Sequence, residues 1–186
     1  KASHYNKLLE NVALSIGGYY DRNDGFFTNS FNGKKADKEE SVGARLGLEW
    51  MISPQFKAIY NFSFDYSEQG AFPYGLYNPE TKETAAVSIN DSSTYNRRMI
   101  GNQLRLEYKS NQFTLSSTTG YRHLKDNMNM DQDFSPLSIF TLNQKQKQNA
   151  FSQEIALKSN QPTNYQWSVG LYGFYDDLHT NGPVTF

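Results

Sequence analysis

Apolar and polar side chains alternate along most of this chain, and a period of two is the spacing of a β-strand, whose successive side chains point to opposite faces. Helical spacing is hard to find. The alternation predicts seven strands: Asn11–Asp21, Ser41–Met51, Gln55–Ser67, Arg98–Lys109, Phe113–Arg122, Asn149–Ser159 and Tyr165–Asp176. In the second, Val42, Ala44, Leu46, Leu48 and Trp50 oppose Gly43, Arg45, Gly47 and Glu49. In the third, Phe56, Ala58, Tyr60, Phe62, Phe64 and Tyr66 oppose Lys57, Ile59, Asn61, Ser63 and Asp65. The connections alternate as well. Residues 22–40, 68–97 and 123–148 are long, polar and rich in Asn, Asp, Gly and Ser, whereas Ile52-Ser53-Pro54, Ser110-Asn111-Gln112 and Asn160 to Asn164 are short. An all-β antiparallel up-and-down meander follows, with long loops at one end and tight turns at the other, the connectivity of outer-membrane barrels.

Alternation alone suits a soluble sandwich or lipocalin-like barrel with its apolar face inside, and equally a membrane barrel with that face turned to lipid. Two features favour the membrane. Aromatics cluster at both ends of the apolar face: Trp50, Phe56, Tyr108, Phe113, Tyr165 and Trp167 near the short turns, and Tyr20, Tyr66, Tyr121 and Tyr175 near the long loops. Such rows match the girdles that settle at lipid headgroups. Phe56 and Tyr66 are ten residues apart in sequence, which at ~3.3 Å per residue and ~45° of tilt spans roughly 23 Å, near the expected ~25 Å apolar band. The opposite face mixes glycine with charges of both signs (Arg45, Glu49, Lys57, Asp65, Arg105, Glu107, Glu154 and Lys158), as a polar lumen does. Arg45/Glu49 and Arg105/Glu107 are expected to neighbour each other there.

The mean hydropathy of −0.73 and the lack of a long apolar run exclude a transmembrane helix but not a barrel, whose strands average out as polar. A net charge of −1 argues against nucleic-acid binding, which demands a basic face. With no cysteine there is no disulfide framework, thiolate metal site or cysteine nucleophile.

Several stretches resemble the barrel of TonB-dependent outer-membrane receptors. Gly18-Tyr19-Tyr20-Asp21-Arg22-Asn23-Asp24-Gly25-Phe26-Phe27 resembles an early strand running into an aspartate-glycine-aromatic loop, and Ala44 to Trp50 the strand after it. Thr114 to Tyr121, with Asp131-Gln132-Asp133-Phe134 downstream, resembles the family's Ser/Thr-rich strand and Asp-x-Asp segment. Phe151-Ser152-Gln153-Glu154-Ile155 leading to Trp167-Ser168-Val169-Gly170-Leu171-Tyr172 resembles its Ser-Gln-Glu strand and partner. The resemblance implies uptake of a ferric siderophore or similarly scarce nutrient through a barrel of about 22 strands closed by a plug. The chain would supply about a third of that wall as one partial barrel domain over residues 1–186. Its partners would be outer-membrane lipid, the small-molecule ligand, and the TonB energy-transducing protein through segments outside this chain. No signal peptide stands at Lys1, and the pattern starts and stops mid-course, so an internal piece is expected. No closing strand is expected at Phe186, because Asn181-Gly182-Pro183 breaks strand pairing. A non-transporting barrel of adhesin or porin type remains the rival within the membrane class.

No catalytic constellation is expected: His4, His123 and His179 are isolated, no nucleophile, phosphate-loop or zinc motif occurs, and the paired acids Glu39-Glu40 and Asp176-Asp177 read as solvated surface. Neither a cofactor nor a metal is expected, although Asn127 to Asp133 offers oxygen donors and two thioethers. Ligand capture is the expected chemistry. The long loops carry Phe72, Tyr74, Tyr77 and Phe134, whose rings can stack on a ligand, and Arg97, Arg98 and Arg122 stand where strands meet loops, placed to attract an anionic chelate.

Overall fold

Seven expected strands become a sheet of nine in a computed structural model that describes residues 1–70, 72–160 and 165–185. The strands are β1 (Ala2–Leu9), β2 (Val12–Asn23), β3 (Glu39–Met51), β4 (Phe56–Gly70), β7 (Thr94–Lys109), β8 (Phe113–Asp131), β9 (Thr141–Ser159), β10 (Ser168–Asn181) and β11 (Val184–Thr185). A separate ribbon of β5 (Tyr77–Asn78) and β6 (Glu83–Thr84) lies within the second long loop. The main sheet runs β1-β2-β3-β4-β7-β8-β9-β10, every pairing antiparallel, and it is open rather than closed. No helix occurs among the described residues.

The short turns are built from local capping. Ser53 Oγ accepts the Phe56 N–H at 3.1 Å, and Ser110 Oγ accepts the Phe113 N–H at 3.0 Å, so one serine closes each hairpin. The third expected turn falls mostly on residues 161–164, outside the described residues, and the strand expected from Tyr165 begins at Ser168.

Three expectations are corrected. First, β1 was not foreseen. Its stretch, Ala2 to Leu9, lacks a sustained apolar face, yet it pairs with β2 from Ala2↔Gly18 to Leu9↔Val12 through an irregularity between Lys7 and Leu9. Second, the loops are shorter than expected, because β8 and β9 each run 19 residues and their outer halves are polar. The alternation Asn127-Met128-Asn129-Met130 and the run Gln144 to Gln148 carry little strand propensity; ladder pairing with a neighbour holds them extended. At ~3.3 Å per residue, a strand of 19 residues is about 63 Å long. Third, Asn181-Gly182-Pro183 does not end the pairing. Asn181 pairs with Lys145 and Val184 with Leu142, three residues further on in each strand, so β11 continues β10 in unbroken register. The Pro183 carbonyl still accepts the Asn143 N–H at 3.0 Å, and the N–H that proline lacks is tolerated because β10 and β11 form an edge. Phe186 itself lies outside the described residues.

Register assigns each side chain to a face. Val12, Trp50 and Ala58 share one face with Leu46, Phe62, Leu104, Tyr121, Phe151 and Tyr175. That face is uncovered: Ile16, Val42, Trp50, Leu104, Leu115, Ile155 and Leu171 are all exposed, Leu171 to 76%. No second layer packs on it among the described residues. Among the described residues the buried hydrophobic ones are instead Val87 and Ile89, both in the second long loop.

Candidate functional site

The three long loops interlock at one end of the sheet. Asp24-Gly25-Phe26-Phe27 opens the first. Gly25 has φ +88°, the left-handed region where glycine carries no penalty, and its missing side chain makes room for Asp37. The Asp37 carboxylate then accepts the Phe26 and Phe27 N–H groups, each at 2.9 Å. Asn29 ties this loop to the second as a strand partner would: its Nδ2 donates to the Ile89 carbonyl at 2.7 Å, and its Oδ1 accepts the Ile89 N–H at 3.1 Å. Ser30 N–H and Oγ both donate to the Val87 carbonyl. The two buried apolar side chains thus sit in a loop segment whose backbone is satisfied by its neighbour.

The third loop is fastened to the second by Asp131, only 1% exposed. Its carboxylate accepts N–H groups from Asp91 at 3.3 Å and Phe134 at 3.1 Å, while its own N–H donates to Ser93 Oγ at 3.1 Å. Burial raises its pKa, the charges of Asp133 and Asp91 add to this, and the two N–H donors oppose it. Asp133 moves the other way. Burial pushes its pKa up, but the Ser135 hydroxyl and the N–H groups of Ile139, Ser135 and Phe140 favour the ionised form and leave it lowered. The Asp-x-Asp segment therefore works as two devices, one joining loops and one folding the turn that follows. Asn90 Nδ2 adds a bond to Ser138 Oγ at 2.6 Å.

Three of the seven residues singled out for ligand capture come together on this loop platform. Phe72 stacks on Tyr74 with ring centroids 5.9 Å apart, and Tyr74 meets Phe134 edge-on at 5.3 Å. Phe72 and Phe134 also hold φ of +55° and +52°, unfavourable for a side chain with a Cβ, so the loops force both aromatics into this cluster. Tyr77 stands apart, exposed in the β5–β6 ribbon. The arginines separate. Arg97 and Arg98 are consecutive on β7 and so lie on opposite faces, Arg97 on the polar face in register with Asp126, Arg98 on the apolar face in register with Tyr66. Arg122 is on the polar face, with Nη2 3.5 Å from Gln148 Oε1. The donors of Asn127 to Asp133 separate too: most of that stretch is strand, and its thioethers and oxygen groups alternate between faces.

The polar face is hollow. Side chains from β2 across to β10 line one recess of about 620 Å³. Its floor is small because glycines and serines oppose one another in register: Ser15↔Gly47, Ser63↔Gly101 and Gly120↔Ser152. A Cβ on Gly101 would lie 2.5 Å from Ser63 Oγ and one on Gly120 2.7 Å from Ser152 Oγ, so neighbouring hydroxyls occupy the space a side chain would need. Charges flank this floor. Arg45 and Glu49 share a face of β3 as expected, and each pairs across the β3–β4 ladder, Arg45 with Asp65 at 2.8 Å and Glu49 with Lys57 at 2.6 Å. Arg105 and Glu107 do pair, at 2.9 Å. Tyr19 on β2 reaches over Gly43 on β3 to donate to Asp65 on β4 at 2.9 Å, and its ring fills the place of a Gly43 side chain. At the β10 border, Tyr172 and Phe174 stack at 6.2 Å on the same face. This aromatic pair was missed because it interrupts the polar side of the pattern.

No family model matches the chain. Among solved structures it is similar to the ferric yersiniabactin uptake receptor FyuA from Yersinia pestis, with a TM-score of 0.79 over 98% of this chain and 29% of that one. Sequence identity is 13%, so the likeness is one of fold. The antiparallel meander has the fold of a part of that receptor, and this chain spans less than a third of the receptor's length.

Proposed function

We propose that residues 1–186 are one partial barrel domain from the wall of an outer-membrane active-transport receptor. Its outer loops capture a ferric siderophore or a similarly scarce nutrient, and TonB acts through segments outside this chain. The observation that carries this reading is the uncovered apolar face bounded by two aromatic rows. Burying a Leu or Phe side chain is worth about 1.5–3 kcal/mol, so a stable protein does not leave a whole sheet face in water. Lipid is a solvent that suits such a face, and Tyr20, Tyr66, Tyr121 and Tyr175 at one border and Trp50, Tyr108 and Trp167 at the other suit its headgroups. The hollow polar face supplies a water-compatible interior, and the interlocked loops bring Phe72, Tyr74 and Phe134 together at the loop end of the sheet. The fold likeness to an uptake receptor supports the transport part of the reading.

The test uses the full-length protein in bilayers with single spin labels at Leu46, Leu48, Arg45 and Asn61. The reading expects molecular oxygen, which concentrates in lipid, to relax the labels at Leu46 and Leu48, and a water-soluble relaxant to act at Arg45 and Asn61. Tight packing of Leu46 and Leu48 within protein, out of reach of both, would sink it in favour of a soluble β-sheet binder. Ligand capture is tested separately, by titrating ferric chelates against wild type and a Phe72→Ala/Phe134→Ala variant. Unchanged affinity for a chelate that wild type binds would remove the aromatic cluster from the site.

A further inference from the structure

A single buried carboxylate fastens the second long loop to the third. Asp131 is 1% exposed, and its oxygens accept the Asp91 N–H at 3.3 Å and the Phe134 N–H at 3.1 Å. The latter bond fixes the residue whose ring meets Tyr74 at 5.3 Å, so the aromatic platform depends on this side chain. The other inter-loop ties, through Asn29 and Asn90, use amides that do not titrate. An ionised carboxylate has about four acceptor sites, and burial is costly where these are left unfilled. Asp131 makes no ion pair among the described residues.

The charges acting on Asp131 are those of Asp133 in its own loop and Asp91 in the second, both negative. Opposite it, β9 sets the uncharged Thr141, and Lys145, the first cation along that face of β9, stands four residues further on, about 13 Å away along the strand. Val184 and Thr185 of β11 carry no charge, nor do Ser93 and Thr94 on the β7 side. From the first loop, Lys34, Lys35 and Lys38 line a cavity of about 490 Å³ that Asp91 also lines, with Glu39 and Glu40 on its walls. Charge of both signs therefore surrounds Asp91, whereas the neighbours acting on Asp131 are acids. Closing the interlock gathers carboxylates from two loops, and a proton on the most buried of them relieves their repulsion.

We propose that Asp131 is a proton-controlled latch: taking up one proton from solvent tightens the join between the second and third loops and, resting on the capture reading above, holds Phe134 in the platform. The raised pKa of Asp131 agrees in sign. A carboxyl that binds its proton more readily in the closed loops than in open chain stabilises the closed form as pH falls through the raised value, and the gain is complete below the ordinary 3.8. Asp133 is displaced the other way, and its contribution is lost only as pH falls below 3.8. The interlock is therefore tightest in acid near that value and loosens on either side. By reciprocity, a ligand that needs the closed platform binds more tightly under the same conditions.

The experiment is hydrogen exchange of the full-length protein in phosphatidylcholine nanodiscs, without ligand, read residue by residue at about pH 7 and about pH 5 and corrected for the pH dependence of intrinsic exchange. The Asp91 and Phe134 amides report the latch. The Ile89 amide, bonded to the Asn29 side chain, is the reference whose partner cannot titrate. In wild type, exchange at Asp91 and Phe134 is expected to slow by about threefold or more toward the lower pH, within the limit of about tenfold per pH unit for one proton, while Ile89 stays level. In Asp131→Asn the pH response should vanish, whatever the baseline rate. A flat or inverted response in wild type overturns the proposal, as does an equal response in Asp131→Asn. Where that variant fails to order its loops, Asp91→Asn serves instead: it keeps both backbone bonds, removes one repelling charge and should shrink the response, and an undiminished response overturns the latch. Chelate affinity plays no part in this readout, so failure of the capture reading leaves the latch standing, and a flat response discards the latch without touching capture.

Discussion

Arginine placed along the apolar face should report depth, and the register supplies the ruler. Leu46 lies four residues from Val42 and four from Trp50 on β3; Val42 is in the row of Tyr20 and Tyr66, and Trp50 is in the opposite aromatic belt. Four residues at ~3.4 Å with ~45° of tilt put Leu46 about 9–10 Å from either border, near the bilayer midplane. Arginine on the lipid face of a barrel costs roughly 2–4 kcal/mol at the midplane and 0–1 near the interfaces. Leu46→Arg should therefore shift the folding equilibrium by roughly a hundredfold, since each 1.4 kcal/mol is tenfold. Val42→Arg should cost about 0–1 kcal/mol, at most about half of that free energy. Asn61→Arg pairs in register with Gly47 on the polar face, where an arginine reaches water, and should cost about as little as Val42→Arg. The assay is urea titration of the full-length protein folding into phosphatidylcholine vesicles, followed by tryptophan fluorescence. Equal penalties at Leu46 and Val42 would refute the lipid assignment. A penalty at Asn61 as large as at Leu46 would refute the assignment of the faces.

Other expectations follow from individual contacts. Gly43→Val drives a side chain into the Tyr19 ring and should cost about 1–3 kcal/mol in the same titration, less in a Tyr19→Ala background where the ring is gone; equal costs in both backgrounds would rule out the collision. Asn29→Ala leaves the Ile89 N–H and carbonyl without partners, about 1–3 kcal/mol for a buried polar group, and hydrogen exchange should quicken in residues 24–38 and 72–93 while the strands keep their protection. Asp133, whose pKa is lowered in the folded loop, stabilises its turn when ionised; that contribution is complete above the unfolded value of 3.8 and disappears as pH falls through the lower folded value. A spin label at Leu137 should therefore gain mobility only below about pH 4 in wild type. In Asp133→Asn it should be mobile at neutral pH already, and an immobile label there would dismiss Asp133 as the turn's organiser.

The sheet was legible because one face carries apolar and the other polar side chains, and alternation is the trace of that difference. Leu46 and Arg45 could be assigned to opposite faces from spacing alone, and register confirms it. Beyond the aromatic border both faces carry polar side chains, the alternation has no hydropathy signal, and the outer halves of β8 and β9 read as loop. β1 escaped for a related reason: all eight of its residues are exposed, on the border of an open sheet. Loop contacts were less legible still. Phe72, Tyr74 and Phe134 were picked as aromatic residues, but their meeting depends on Asp131, which joins segments 40 residues apart. The carboxylate was visible in the sequence, whereas its partners Asp91 and Ser93 were not distinguishable from other polar loop residues. Arg97 and Arg98 illustrate the converse. Once β7 extends to Thr94, period two alone sends them to opposite faces, and the initial strand boundary at Arg98 hid this.

The interlocked loops and the hollow polar face impose a division of labour on the chain. The polar ladder is stiff where charges cross it, as at Tyr19, Asp65 and Arg45, whose bonds link three strands. It is low where glycine meets serine, and there small hydroxyls rather than long side chains face the interior. The loops show the opposite balance: buried apolar groups are few, and order comes from side chains bonded to backbone, chiefly Asn29, Asp37, Asp131 and Asp133. Bonds of this kind contribute about 0.5–1.5 kcal/mol each and can open singly, whereas a ladder of 19 paired residues opens only as a unit. On the capture reading, a ligand that closes over Phe72, Tyr74 and Phe134 would meet a platform able to adjust by a few bonds while the ladder stays fixed, and motion should be confined to the loop residues 24–38, 72–93 and 132–140.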